Sequence, residues 1–175
     1  MLKANKNFFE EFEKYDFKLW QKSLDANLSS TFIATKAVVK YMLKRKKGSI
    51  VNIASDVGVI SPDHRIYEPN KRYKYKGVNF NTPISYSVAK SGIISMTRYL
   101  ATYWAKKGIR VNCISPAGVY KKHNKKFVEQ LSQRIPLGRM AKPYELNGAI
   151  VYLCSNASSY VTGHNLVVDG GRTTW

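Results

Sequence analysis

The stretch Gly48-Ser49-Ile50-Val51-Asn52-Ile53-Ala54-Ser55 decides the fold. A glycine opens it, β-branched residues fill it and a hydroxyl closes it, the pattern of a strand buried on both faces of a parallel sheet. Downstream, Gly108-Ile109-Arg110-Val111-Asn112-Cys113-Ile114-Ser115-Pro116 repeats the pattern and stops at proline. Between them, Ser85 to Lys107 has helical length, with apolar side chains at Val88, Ile93, Met96, Leu100 and Trp104. Strand, helix and strand make a right-handed crossover unit, so the fold class is α/β with a parallel sheet. In open sheets of this kind ligands bind at the carboxyl ends of the strands. Ser55 and the start of the following helix therefore share one rim.

That helix begins Tyr86-Ser87-Val88-Ala89-Lys90. Residues four apart lie on one helix face. At ~6 Å and an effective dielectric of about 20, an ammonium attracts a phenolate by on the order of 3 kcal/mol, which lowers the phenol by about two pH units. Reaching neutrality needs a further positive charge beside the phenol. With twelve tyrosines and twenty-one lysines in the chain, an isolated pair of this spacing also fits a solvated helix face. Upstream, Asp16 to Lys46 reads as one long helix with the apolar set Trp20, Leu24, Leu28, Phe32, Val38, Val39 and Met42. Asn27 falls well inside it, a position where asparagine is a poor helix former because its amide competes for backbone groups. Tyr144 to Cys154 reads as helix, Asn165 to Val168 as a last strand, and Gly170-Gly171 as a turn.

Taken together, these residues resemble the short-chain dehydrogenase/reductase family over essentially the whole chain. Ser55 falls on the family's catalytic serine, Tyr86 and Lys90 on its Tyr-x-x-x-Lys pair, and Asn27 in Asp25-Ala26-Asn27-Leu28 on its active-site asparagine. Further likeness lies in Arg110-Val111-Asn112 before Ser115-Pro116, in Pro136-Leu137-Gly138-Arg139 with Pro143-Tyr144-Glu145, and in Tyr160-Val161-Thr162-Gly163 through Asp169-Gly170-Gly171. The segment around Pro62-Asp63-His64-Arg65-Ile66-Tyr67 and the run Thr97 to Lys107 look like a bacterial branch found with surface-sugar and flagellin-modification pathways.

The resemblance implies a Rossmann-like doubly wound sheet and an NAD(P)-dependent interconversion of alcohol and carbonyl on a small, sugar-derived substrate. Tyr86, acidified by Lys90, exchanges a proton with the substrate oxygen, Ser55 donates a hydrogen bond to that oxygen, and Asn27 kinks its helix and holds a water that links Lys90 to solvent. Tyr86, Lys90, Pro116, Ala117, Gly118 and Val119 are the expected cofactor contacts. Ala117 stands where the family has a glycine, and Lys121 where a threonine often binds cofactor phosphate. Residues 116–142 correspond to the family's substrate lid, and 56–85 form an active-site insertion in which Asp56, Asp63, His64 and Arg65 are polar candidates for substrate or else ordinary surface positions.

A dinucleotide fold needs a glycine-rich turn that lets backbone and a helix N-terminus approach the pyrophosphate. The eleven glycines never form that turn after a strand, and the residue that selects NAD or NADP is missing with it, so the choice of cofactor stays open. By comparison with the family, residues 1–175 read as a single domain, truncated at its N-terminus, with the first strands absent. Partners expected on this basis are a small-molecule substrate and either further copies of the chain or an N-terminal fragment. The alternative is a non-catalytic interaction module, or inactive fragment, that uses the family's helical dimer surface.

A net charge of +18 is the signature of polyanion binding or of lysine-rich composition. Lysine outnumbers arginine 21 to 8, and Lys44-Arg45-Lys46-Lys47 falls at a helix C-terminus, where cations oppose the macrodipole. Composition is the stronger reading, and specific nucleic-acid binding the weaker. The run from Tyr67 to Lys76 interleaves aromatics with cations, a stacking pattern or a solvated insertion. No stretch approaches the ~20 apolar residues of a membrane span and no signal-peptide core opens the chain, which points to the cytoplasm. Cys113 and Cys154 lack metal-ligand spacing and read as small buried hydrophobes, with no metal site expected.

Overall fold

A computed structural model describes residues 6–67, 74–75, 78–79 and 81–175. Most of the aromatic and cationic run from Tyr67 to Lys76 therefore lies outside the described residues. The elements are α1 Phe17–Leu24, α2 Ser30–Arg45, β1 Gly48–Ile53, β2 Lys74–Tyr75, β3 Val78–Asn79, α3 Ile84–Trp104, β4 Ile109–Pro116, α4 Lys125–Ser132, α5 Asn147–Cys154 and β5 Asn165–Val168. β1, β4 and β5 form a parallel sheet in that order, with Gly48 opposite Ile109 and Cys113 opposite Asn165. β2 and β3 pair as a short antiparallel hairpin.

β4 is the central strand, and Val111, Cys113 and Ile114 are fully enclosed. α3 covers it with Ala89, Ile93, Thr97, Ala101 and Trp104, a helical repeat of four, four, four and three that keeps one stripe on the sheet. Within this layer Asn52 donates its amide to the Thr97 hydroxyl at 2.9 Å, satisfying both buried groups. α2 buries little: Thr35 and Val39 face inward, whereas Phe32 and Val38, expected in its apolar set, are exposed, as is Val88 on α3. One flank of each helix meets the sheet. Phe32 and Val38 on α2 and Val88 on α3 lie on flanks left exposed among the described residues.

The Arg-Val-Asn sequence in β4 has a structural purpose. Arg110 donates to the carbonyls of Leu153, Ser155 and Val161, and Asn112 bonds both Val161 and His164. These bonds fasten the loop between α5 and β5 to the central strand. Cys113 is buried as expected, but Cys154 is exposed because it sits at the outward end of α5. The expectation of two buried thiols is corrected to one.

The long N-terminal helix is not uniform. α1 is capped by Asp16, which accepts from Leu19 N–H at 3.0 Å, and ends at Leu24; Asp25–Ser29 form a turn of π-helix, and α2 continues from it. Among the described residues no helix is long and apolar enough to cross a membrane.

Candidate active site

β1 delivers Ser55 to the rim. Ala54 N–H bonds the Ile114 carbonyl at 2.8 Å, extending the ladder one residue past the strand, and the chain then tightens into a 3₁₀ turn, Asp56–Gly58. The turn lies against α3 at Lys90. A Cβ on Gly58 would stand 2.8 Å from the Lys90 carbonyl carbon, so only glycine permits this approach. Gly58 also accepts from the Ser91 hydroxyl at 3.0 Å. The distance between the serine-bearing turn and the tyrosine-bearing helix is thus set by an absent side chain.

Ser55, Asp56, Tyr86, Gly118, Val119 and Arg172 line one cleft of about 260 Å³. Lys90 places its Nζ 5.5 Å from the centre of the Tyr86 ring and donates to the Ile53 carbonyl at 2.9 Å. The structure therefore brings Ser55, Tyr86 and Lys90 together. The surroundings of Tyr86 act against the acidification expected from Lys90. Burial raises the phenol above its ordinary value, Asp56 pushes the same way, and hydrogen bonding with Ser55 opposes them. Burial also lowers Lys90, whose ammonium is bonded to a backbone carbonyl.

Asn27 lies in the π turn and not in the cleft. Its side-chain amide donates back to the Ser23 carbonyl at 2.9 Å, and its own carbonyl accepts from Thr31. The turn packs its Leu28 against Ala54, Ile93, Ile94 and Cys113, beneath the site. Pro116 ends β4 and pairs with Val168, and Ala117 N–H bonds the Val168 carbonyl at 3.2 Å. Val119 forms a parallel bridge with Ala141, in which Tyr120 N–H and the Gly118 carbonyl are used; the N–H of Val119 itself is turned away from that bridge. Lys121 is exposed, its backbone N–H bonded to His123.

The four polar candidates after Ser55 separate. Asp56 is not a surface residue: it is buried and ion-paired with Arg172. Asp63 accepts from Arg65 and from Arg134 on the far side of α4, which holds its carboxyl well below the usual range. His64 opens instead on a separate cavity of about 590 Å³ that includes Glu10, Ser61 and Ser91. Ile66 joins Leu131, Ile135 and Met140 in one apolar cluster, and Tyr67 stacks on Phe127 at 6.0 Å. The segment after β1 is thus packed into the segment after β4.

Arg172 was missed in the sequence. Its only sequence signal was a cation directly after Gly170-Gly171, and nothing local says that it returns to the residue beside Ser55.

Residues 4–68 match the family model for short chain dehydrogenase, and residues 72–173 match that for enoyl-(acyl carrier protein) reductase. The chain is 36% identical over 156 residues to a 3-oxoacyl-[acyl-carrier-protein] reductase of Thermotoga maritima, covering 87% of this chain and 56% of the relative. It is 35% identical over 168 residues to 2-dehydro-3-deoxy-D-gluconate 5-dehydrogenase of Bacillus subtilis, covering 93% and 59%. Among solved structures, a short chain dehydrogenase of Leptospira borgpetersenii with bound NAD+ superposes with a TM-score of 0.83 at 38% identity, covering 94% of this chain and 60% of the other. A gluconate 5-dehydrogenase of Burkholderia cenocepacia in complex with NADP and tartrate gives 0.82 at 26% identity, covering 99% and 63%. The chain belongs to the short-chain dehydrogenase/reductase family. It spans less than two thirds of the length of these relatives.

Proposed function

We propose that this chain carries the reacting centre of an NAD(P)-dependent oxidoreductase that interconverts an alcohol and a carbonyl on a small polyhydroxy, sugar-derived substrate. The observation that carries the reading is the meeting of Ser55, Tyr86 and Lys90 at the carboxyl end of β1, opposite the turn 117–119. The turn suits the carboxamide of a nicotinamide, since Val119 lines the cleft and its N–H is not used in the bridge with Ala141. Among the described residues no helix opens on a glycine-rich turn, so the groups assigned here face the reacting end of the cofactor and not its phosphates. The relatives whose names specify gluconate derivatives support a polyhydroxy substrate.

When bound, the nicotinamide supplies or takes the hydride. Tyr86, held protonated by burial, gives its proton to the substrate oxygen during carbonyl reduction and takes one back in the reverse direction. Ser55 turns its hydroxyl from Asp56 to that oxygen and stabilises the charge that develops there. Lys90 sits beside the ring and fixes the end of β1, and Asn27 shapes the helix that supports the site. Homo-oligomer formation belongs to the same proposal: Phe32, Ile33 and Tyr41 on α2 and Tyr99 and Tyr103 on α3 expose apolar surface that a second copy would cover.

The test is titration of the purified chain with NADH and NADPH, alone and mixed with the amino-terminal strands of a relative. Binding raises nicotinamide fluorescence and the melting temperature, and Tyr86→Phe keeps the binding while losing turnover by about 10²- to 10⁴-fold. No response under either condition overturns the proposal.

A further inference from the structure

Asp56 and Arg172 stand 116 positions apart in sequence and form a buried ion pair at the wall of the cleft. Their relative exposures are 3% and 7%, so both charges are largely withdrawn from bulk solvent. Asp56 is fully engaged. One carboxylate oxygen accepts from the Ser55 hydroxyl at 2.9 Å and from Val57 N–H at 2.8 Å, and the other accepts from Arg172. Since a serine hydroxyl carries one proton, donation to Asp56 leaves Ser55 only its lone pairs to offer Tyr86, which lines the same cleft. A polar chain runs from Ser55 to Asp56 to Arg172.

The far end of this chain is rigidly set. Asp169 accepts from Gly171 N–H at 2.8 Å and from Thr173 N–H at 2.6 Å, closing a turn around Gly170 and Gly171, both in the left-handed region. Arg172 is the residue this turn aims inward.

We propose that Arg172 is a positioning residue for the reacting centre: by holding Asp56 in place, it sets where the Ser55 hydroxyl rests before it turns to the substrate oxygen, and it offsets part of the carboxylate's charge at Tyr86. The C-terminal turn is thereby part of the active site. The proposal rests on Ser55 and Tyr86 being the reacting groups. Among the described residues, the ionisable groups around Tyr86 are Lys90 on its own helix, Asp56 after β1, Tyr67 from the following segment and Arg172 from the C-terminal turn. Of these, Asp56 and Arg172 are the two whose charges are tied to each other.

The experiment places a fluorinated tyrosine at position 86 alone, which brings the phenol into a convenient pH range and gives one ¹⁹F resonance to titrate without cofactor. With Arg172→Met the midpoint rises by roughly one pH unit, the effect of an unpaired charge a few ångströms away. With Asp56→Asn it falls, and the double variant Asp56→Asn/Arg172→Met returns close to the wild-type value. A merely structural pair lowers the melting temperature and leaves the midpoint where it was, which overturns the proposal. Should Arg172→Met not fold, Asp56→Asn decides alone, since an unchanged midpoint there is equally fatal. Dinucleotide titration of the same wild-type chain separates the two ideas. A Tyr86 response without cofactor binding sinks the proposed function and leaves the ion pair's control of Tyr86 standing; binding without a Tyr86 response does the reverse.

Discussion

Ser55 is placed by its neighbours more than by its own strand. The 3₁₀ turn that follows it touches α3 through Gly58, whose missing side chain leaves room for the Lys90 backbone. Because the obstacle is main chain and not a flexible side-chain tip, it has no rotamer with which to yield. Gly58→Ala is expected to cost about 1–3 kcal/mol, seen as a lower denaturation midpoint with unchanged m-value. The same variant displaces Ser55 from Tyr86. At this scale the polarity of the site also comes from contacts distant in sequence. Tyr86 and Lys90 share a face by local geometry, yet burial raises one and lowers the other, a result that a dielectric guess from spacing does not contain.

Between elements, the segment after β1 and the segment after β4 form a single unit. Ile66 lies in the cluster of Leu131, Ile135 and Met140, and Asp63 bridges Arg65 and Arg134. The bridge to Arg134 at 2.5 Å is the polar fastening of α4 to the turn His64–Ile66. Asp63→Asn removes its charge and is expected to speed amide hydrogen exchange in α4, Lys125–Ser132, while β1 and β4 exchange as before. A second fastening lies beyond α4. Arg139 donates two bonds to Glu145, and Lys142 N–H donates a third, which together push the Glu145 carboxyl down to about 2. A carboxyl lowered on folding adds stability above its unfolded value of 4.5, and that contribution is lost as pH falls from there through about 2. Wild type and Glu145→Gln therefore differ in melting temperature at neutral pH, and the difference closes across this acid window.

For the molecule as a whole, the contrast between the two cysteines gives a direct check on the packing. Cys113 is enclosed in the central strand and burial raises its thiol, whereas Cys154 is exposed at the end of α5. An aromatic disulfide reagent is expected to titrate one thiol in the native chain and two after denaturation; two fast-reacting thiols in the native state contradict this sheet. Part of the basic surplus lies where helices end: Lys44 and Arg45 close α2 and Lys106 and Lys107 follow α3, whereas Lys125 and Lys126 open α4. The cations that follow α2 and α3 meet the negative ends of helix dipoles.

The order of elements was written in the chain itself. Gly48 to Ser55 and Gly108 to Pro116 are apolar runs with clear boundaries, α3 carries its stripe at helical spacing, and Tyr86 with Lys90 is a local pattern of four residues. Such features depend on neighbours in sequence, so periodicity reveals them. What periodicity misread were faces and partners: Phe32, Val38 and Val88 have the right spacing for a core but lie on flanks left exposed among the described residues, and Asp56 looked like surface but is buried. The union of Asp56 with Arg172 and the fastening of Asp63 to Arg134 were settled by the tertiary structure. Each joins segments far apart in the chain, and a contact of that kind leaves no local trace, because its cause is what the folded sheet and helices bring to the same place.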